Sequence, residues 1–134
     1  MKKLILTAAA ASTLAFSQTS IAAYPEKSIR LVVPFATGGT SEIIARSVAN
    51  SLSTSLGQSV YVDNKPGGAG NIAMEEVKRA NPDGYTLMIA YVGTHGTNPA
   101  VRKLPYDALK DFTPIGMIGA TPNALIINPD LPIN

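Results

Sequence analysis

The residues that most constrain the fold run from Ile29 to Arg46 and read IRLVVPFATGGTSEIIAR. Their first seven residues, IRLVVPF, are almost all apolar, which is typical of a strand covered on both faces in a parallel sheet. Gly38 and Gly39 then permit a tight turn, and Thr40 and Ser41 are good helix N-cap residues. The sequence therefore predicts a strand, a glycine turn and a helix. This arrangement directs backbone N–H groups and the positive end of a helix dipole at one point, where an anion can bind.

The helix predicted after this turn has a recognisable beginning, buried face and end. Glu42 lies in its first turn, where a carboxylate interacts favourably with the helix dipole. Its predicted buried stripe, with apolar residues four apart, consists of Ile44, Val48, Leu52 and Leu56. Gly57 follows, at the position where a left-handed glycine commonly ends a helix.

The same order of strand, polar loop and helix recurs along the chain. The next predicted elements are a strand at Val60–Val62, a glycine loop at Asn64–Gly70, a helix at Ile72–Ala80 capped by Asn71, a turn at Asn81–Gly84, a strand at Tyr85–Tyr91 and a polar loop at Gly93–Pro99. Alternating strands and helices indicate an α/β fold with a parallel, doubly wound sheet. Ligands of such sheets bind beyond the carboxyl ends of the strands. Because all three polar loops follow strands, the pattern predicts a binding site where the loops meet.

The C-terminal part of the chain has weaker periodicity. A turn at Leu104–Asp107 is expected to lead into a short helical piece that ends near Phe112. Two short apolar runs, Ile115–Ile118 and Ala124–Ile127, are predicted to be strands. No element follows the last predicted strand to cover it, so we expect the chain to be a fragment of a longer protein.

The N-terminal segment, Met1–Ala22, has the three parts of a secretory signal. Its two lysines are followed by an apolar stretch, Leu4–Phe16, which is shorter than the roughly 20 residues that span a bilayer. Small residues at the end of the segment predict cleavage after Ala22 or Ala23. The chain has no cysteine, which excludes a bacterial lipoprotein anchor. We expect an exported, soluble protein in the periplasm, and the alternative is an N-terminal membrane anchor.

Charge and composition argue against several kinds of partner. The chain has 11 basic and 9 acidic residues, but Lys2 and Lys3 lie in the signal segment, so the mature chain is formally neutral and has no basic run. Binding to a nucleic-acid backbone needs clustered Lys and Arg. A metal site is not expected, since the chain lacks cysteine and His95 is its only histidine. No cofactor is expected either, because the glycine loops match neither the phosphate-loop nor the dinucleotide pattern.

Six segments of the sequence resemble those of one receptor family. They are YPEKSIRLVVPFATGG at Tyr24–Gly39, LGQSVYVDNKPGGAGNIA at Leu56–Ala73, NPDGYTLM at Asn81–Met88, THGTNP at Thr94–Pro99, LPYDALKDFTPIG at Leu104–Gly116 and PDLP at Pro129–Pro132. Taken in this order, the sequence resembles the periplasmic solute receptors of tripartite tricarboxylate transporters, the Bug-type receptors. Each segment is weak evidence alone, but six segments in the same order are highly specific.

The resemblance implies a two-lobed, Venus-flytrap α/β protein that is longer than this chain. A small carboxylate would bind between the lobes and be passed to a membrane transporter. Residues 1–22 would be the signal peptide, residues 23–120 the first lobe with its ligand-binding loops, and residues 121–134 the crossover into a second lobe. A monomer is expected.

The resemblance also implies which residues bind the ligand. The first turn and the second glycine loop would hold one carboxylate, largely through backbone groups and ordered water, and the third loop would face the same cleft. By position, the ligand-binding residues are Phe35, Ala36, Thr37, Gly38, Gly39, Thr40, Ser41, Pro66, Gly67, Gly68, Ala69, Gly70, Thr94, His95 and Asn98. Thr37 and Glu42 depart from the family pattern, which commonly has proline and aspartate there, and the longer acid is expected to affect which ligands are accepted.

Two other functions stay open at this point. A secreted α/β enzyme such as a hydrolase would need a nucleophile and a base; His95 is the only histidine base, and the chain has no G-x-S-x-G motif. His95 is instead expected to be a polar wall residue of the cleft or a structural loop residue, and Tyr91 is the tyrosine placed to contact ligand. A receptor that presents its ligand to a membrane sensor would have the same pocket.

Overall fold

The computed structural model describes residues 23–120 and 126–128. Three parallel strands, β1 (Ile29–Val33), β2 (Val60–Asn64) and β3 (Thr86–Met88), form a sheet in the order β2-β1-β3. Helix α1 (Thr40–Leu56) connects β1 to β2, and helix α2 (Asn71–Lys78), which follows a short 3₁₀ turn at Gly68–Gly70, connects β2 to β3. After β3 comes a π-helical turn at Gly93–Thr97 that continues into α3 (Asn98–Val101). The predicted α/β fold with a parallel sheet is confirmed.

The core is built around the central strand β1, which is buried on both faces. Ile29, Leu31 and Val33 pack into a cluster with residues of α1, β2 and the end of β3, while Val32 on the opposite face is also fully buried. Helix α2 contacts β1 and β3. A strand that is covered on both faces has no polar side to display, which explains its nearly continuous apolar sequence.

Helix α1 packs on the sheet through a face that differs from the predicted stripe. Its buried apolar residues are Ala45 and Ala49, whereas Ile44 is 38% exposed; Leu52 and Leu56 are partly buried against the core. Residues four apart advance by about 40° around a helix of 3.6 residues per turn. The predicted stripe therefore rotates away from the sheet over three steps, and the expectation for Ile44 was wrong.

The predicted helix caps were also wrong. The N-cap residues of α1 and α2 are Gly39 and Gly70, and neither helix has a side-chain cap hydrogen bond. Thr40 and Asn71 are already the first residues of their helices. Glycine is acceptable at an N-cap, and at both positions the tight turn that precedes the helix determines where the helix begins.

The segment predicted as a third polar loop, Gly93–Pro99, is helical instead. The N–H groups of Thr94 and His95 donate to the carbonyl of Tyr91 and start the turn. Pro99 is the second residue of α3, and it donates no backbone hydrogen bond to the preceding turn. Glycine, threonine and asparagine are poor helix formers, so tertiary contacts rather than local preference explain this helix.

The predicted elements after α3 are largely absent from the described residues. The stretch before Phe112 forms a turn rather than a helix, with Asp107 accepting the N–H groups of Leu109 and Lys110. Residues 115–118 have no regular structure, and Ile115 is 82% exposed. The strand predicted at Ile115–Ile118 was therefore wrong, because no described strand pairs with it. Of the strand predicted at Ala124–Ile127, only residues 126 and 127 are described, and they form no strand; the rest lies outside the described residues.

No helix in residues 23–120 or 126–128 is long and apolar enough to cross a membrane.

Candidate functional site

Three segments meet at the carboxyl edge of the sheet. Because β1 pairs in parallel with both β2 and β3, the chain leaves all three strands at the same edge. The segments are directly connected there: the Asn64 amide donates to the Phe35 carbonyl at 3.0 Å, and the rings of Phe35 and Tyr91 lie 4.7 Å apart. The Tyr91 hydroxyl in turn donates to the carbonyl of Ala69 at 3.1 Å. These contacts join the first turn, the second glycine loop and the segment that follows β3.

The first turn presents unused backbone donors at the start of α1. Among the described residues, the N–H groups of Gly39, Thr40 and Ser41 have no hydrogen-bond partner. Gly39 has φ −90°, and a Cβ built on it would meet no heavy atom within 4 Å. The N-terminus of a 17-residue helix carries a partial positive charge. The turn therefore has the donors and the open approach that an anion needs.

Glu42 occupies one donor of this turn with its own carboxylate. Its Oε2 accepts the N–H of Gly38, and its Oε1 accepts from the Arg46 guanidinium, with Arg46 Nε at 2.8 Å. These donors, first the Gly38 N–H and then Arg46, hold the pKa of the Glu42 carboxyl below its ordinary value. The Gly38 N–H is thus used within the chain, and Gly38 adopts φ +92°, a conformation that suits glycine.

The second glycine loop has an unusual run of positive φ angles. Gly67, Gly68, Ala69 and Gly70 have φ values of 122°, 57°, 54° and 89°. Among the described residues, the N–H groups of the first three have no hydrogen-bond partner, and all three residues are exposed. Consecutive backbone N–H groups in such a loop form a concave surface that favours anions. This loop is therefore a second set of unused donors beside the first turn.

Gly70 packs the second loop tightly against the other two segments. A Cβ at this position would lie 2.6 Å from Thr94 Cγ2 and 3.4 Å from Pro34 Cβ and Tyr91 Cε1. Because real Cβ contacts are never this short, only glycine permits the observed approach at Gly70.

The third segment uses its polar side chains inside the protein. Thr94 is fully buried, and its Oγ1 donates to the Tyr91 carbonyl at 3.1 Å. Asn98 is 5% exposed, and its amide donates to the Ala69 carbonyl at 2.9 Å. Asn98 thus bonds directly to the backbone of the second loop, whereas Thr94 packs against that loop at Gly70.

His95 lies beside the third segment's buried threonine. Its Nδ1 is 2.9 Å from Thr94 Oγ1, and its ring meets the edge of the Phe112 ring at 5.4 Å between centroids. Partial burial lowers the pKa of His95 below its ordinary value, because burial disfavours the charged imidazolium. The neighbouring hydroxyl is buried and already donates to a carbonyl, so this pair does not present an accessible nucleophile and base.

Sequence reasoning missed two residues that shape this edge. Asn71 was expected to cap α2, but its Oδ1 lies 3.4 Å from the Asn98 amide and 3.2 Å from the Tyr106 hydroxyl. Tyr106 is 7% exposed and donates to the Thr94 carbonyl at 2.9 Å. The position of Asn71, a polar residue directly after the glycine loop, could have indicated its role at this edge. No pattern in the sequence indicated the role of Tyr106.

Two concave grooves among the described residues lie away from the unused donors. One groove of about 290 Å³ is lined by α2 residues Ile72, Glu75, Glu76 and Arg79, and one of about 230 Å³ lies beside Arg102. Both are shallow, and neither is lined by the unused donors. An anion site that is open on one side is distinguished by its hydrogen-bond donors rather than by its concavity. Within the described residues, no three His, Asp or Glu side chains are grouped to hold a metal ion.

In open α/β sheets, ligands bind beyond the carboxyl ends of the strands, and the turns with unused donors lie at this edge. Residues 44–134 match the family model described as the tripartite tricarboxylate transporter family receptor, and the chain belongs to this family. The resemblance seen in the six sequence segments is thereby confirmed.

Two curated relatives illustrate the match. The chain is 35% identical over 127 residues to a UPF0065 protein from the TAR-I ttuE-ttuC' intergenic region of Agrobacterium vitis, covering 95% of this chain and 36% of the relative. It is 35% identical over 114 residues to protein BugT of Bordetella pertussis, covering 83% of this chain and 35% of the relative. The chain thus spans about a third of the length of the curated relatives it matches.

Solved structures agree with this assignment. A periplasmic transporter structure is 54% identical with a TM-score of 0.63, covering 66% of this chain and 30% of that chain. MatC from Rhodopseudomonas palustris with bound malate is 40% identical with a TM-score of 0.65, covering 68% of this chain and 31% of that chain. An R. palustris protein with adipate is 44% identical with a TM-score of 0.53, covering 55% of this chain and 24% of that chain. The chain therefore has the fold of part of a periplasmic binding protein.

Proposed function

We propose that this protein is an exported solute receptor that captures a small organic acid with two or more carboxylates and delivers it to a tripartite tricarboxylate-type transporter. The carrying observation is that two sets of unused N–H groups, at Gly39–Ser41 and Gly67–Ala69, follow the neighbouring parallel strands β1 and β2 at one edge of the sheet. Family membership and the malate and adipate found with similar proteins support this ligand class.

The chemistry of the site is binding without bond cleavage. Backbone N–H groups suit a carboxylate because each charge-assisted hydrogen bond contributes about 1.5–3 kcal/mol. One carboxylate would lie against the first turn and the second loop. The remainder of the ligand would extend toward a second lobe, which closes over it by a hinge motion.

Calorimetric titration of the full native protein with malate and with adipate tests this function. At least one diacid should bind, and the corresponding dimethyl ester should not, since it lacks the charge. Gly39→Val should weaken binding roughly 10- to 100-fold by obstructing one or two donors. Gly116→Val is the matched control, because a Cβ there also meets no heavy atom within 4 Å. Unchanged affinity in a folded Gly39→Val protein would contradict the site assignment.

Export and transport need separate measurements. The intact mass of the protein from the periplasmic fraction should correspond to an N-terminus at Ala23 or Tyr24, as cleavage after Ala22 or Ala23 predicts. Native mass spectrometry should show a monomer.

Deleting the gene should abolish uptake of the ligand found by calorimetry, and normal uptake in the deletion strain would contradict delivery to a transporter.

A further inference from the structure

Ala69 has a backbone conformation that alanine rarely adopts. Among the described residues it is the one non-glycine residue with positive φ, at 54°. The left-handed region is unfavourable for an L-residue with a Cβ and persists when surrounding contacts stabilise it. Those contacts are visible at its carbonyl, which accepts the Tyr91 hydroxyl at 3.1 Å and the Asn98 amide at 2.9 Å.

A second layer of hydrogen bonds holds the Asn98 side chain in place. Its amide also lies 3.4 Å from Asn71 Oδ1, which is 3.2 Å from the Tyr106 hydroxyl. The single proton of that hydroxyl is shared with the Thr94 carbonyl, at 2.9 Å. Tyr106, Thr94 and Asn98 are all buried, and Asn71 is half-buried. The bond between Tyr106 and Thr94 is buried, so breaking it leaves a buried polar group without a partner.

The geometry points to a role for this cluster in the shape of the second glycine loop. We propose that Asn98, Asn71 and Tyr106 are positioning residues that hold the Ala69 peptide in its left-handed conformation and so preset the N–H groups of Gly67, Gly68 and Ala69 for a carboxylate. The nature of the anion rests on the proposed function. The positioning role does not, because it is measurable without ligand.

Hydrogen exchange in the ligand-free native protein tests the positioning role. The Gly70 N–H donates to the Gly67 carbonyl at 2.9 Å and reports on the closed loop, while the Ile89 N–H donates to the Val32 carbonyl and reports on the sheet. Tyr106→Phe keeps the ring but removes the hydroxyl. It should speed exchange at Gly70 roughly two- to tenfold, as expected for one lost hydrogen bond, and leave Ile89 unchanged.

The matched control for this exchange experiment is Tyr61→Phe, whose ring is 48% exposed on β2 and which should change neither amide. Equal acceleration at the loop and sheet reporters would mean that Tyr106 only stabilises the fold. No acceleration at the loop would mean that the cluster does not determine its shape. Either result overturns the proposal.

A rescue experiment separates positioning from packing. Asn98→Ala should speed exchange at Gly70 and weaken binding of malate or adipate about tenfold. Adding Ala69→Gly should recover part of both losses, because glycine adopts positive φ without help. Absence of rescue would contradict the proposal. If the wild-type protein binds neither acid, the proposed function fails, while the exchange measurements still decide the positioning role.

Discussion

Replacing three glycines by alanine, one at a time, separates backbone strain from steric clash at the loop edge. Gly39 and Gly70 are both N-cap residues. Gly39→Ala therefore measures how much stability is lost when alanine replaces glycine at an N-cap. Gly38→Ala adds strain alone, because its φ is +92° and the new Cβ has open space. Gly70→Ala adds strain at φ +89° and a contact of 2.6 Å with Thr94 Cγ2. The three variants therefore form a graded series.

The expected magnitudes follow from these geometries. Gly39→Ala should change the free energy of unfolding by less than about 1 kcal/mol, since only the cap is affected. Gly38→Ala should destabilise by about 1–2 kcal/mol, which is the cost of an L-residue in the left-handed region. Gly70→Ala should destabilise by about 2–5 kcal/mol, because overpacking adds about 1–3 kcal/mol to the same strain.

Urea unfolding of the full native protein, followed by circular dichroism and analysed by linear extrapolation, measures this order. The sharpest comparison adds Thr94→Ser, which removes the clashing Cγ2 and keeps the hydroxyl. In a double-mutant cycle, Gly70→Ala should cost less in the Thr94→Ser background than in the wild type. If Gly70→Ala is no more destabilising than Gly38→Ala, or if the cycle shows no coupling, then the close packing at Gly70 is refuted.

Two further predictions concern charged side chains. Glu42 has a lowered pKa in the folded protein, so its stabilisation is fully present above the ordinary carboxyl pKa and is lost as pH falls through the lowered value. Unfolding titrations should therefore show Glu42→Gln less stable than wild type at pH 7 and equally stable in acid; a constant difference at every pH would contradict this. The Arg30 guanidinium bridges the carboxylates of Glu76 and Asp63. Arg30→Met should therefore lower the free energy of unfolding by about 1–3 kcal/mol. The control, Lys27→Met, breaks an exposed ion pair at 3.7 Å and should lower the free energy of unfolding by less than about 1 kcal/mol. Equal losses of stability in the two variants would show that the Arg30 bridge contributes no more than an exposed pair.

The order of strands and helices was predictable because apolar runs and glycine turns are local signals. The run from Ile29 predicted the buried central strand, and alternation with helices predicted the parallel sheet, both confirmed. The face of α1 was not predictable from apolar spacing, because small residues such as Ala45 let the helix approach the sheet while Ile44 points outward. The spacing of apolar residues does not include side-chain size, which determines how closely a helix packs on a sheet.

The candidate site was predictable to the level of its loops but not of its contacts. Glycine-rich sequences after strands indicated where donors would lie, and they remain the proposed binding residues. The left-handed Ala69 is hydrogen-bonded to Tyr91 and Asn98, and the helical turn at Gly93–Thr97 is hydrogen-bonded to Tyr106. These hydrogen-bonded partners are separated by up to 29 residues in sequence, so no local pattern carries the information.

The carboxylate of Glu42 gives the first turn a permanent internal anion. It holds the Gly38 N–H and is itself neutralised by Arg46, so the turn is already shaped before any solute arrives. A preorganised turn spends little of its interaction energy on ordering the loop. Under the proposed function, solutes of different affinity should then differ mainly in how long they stay bound.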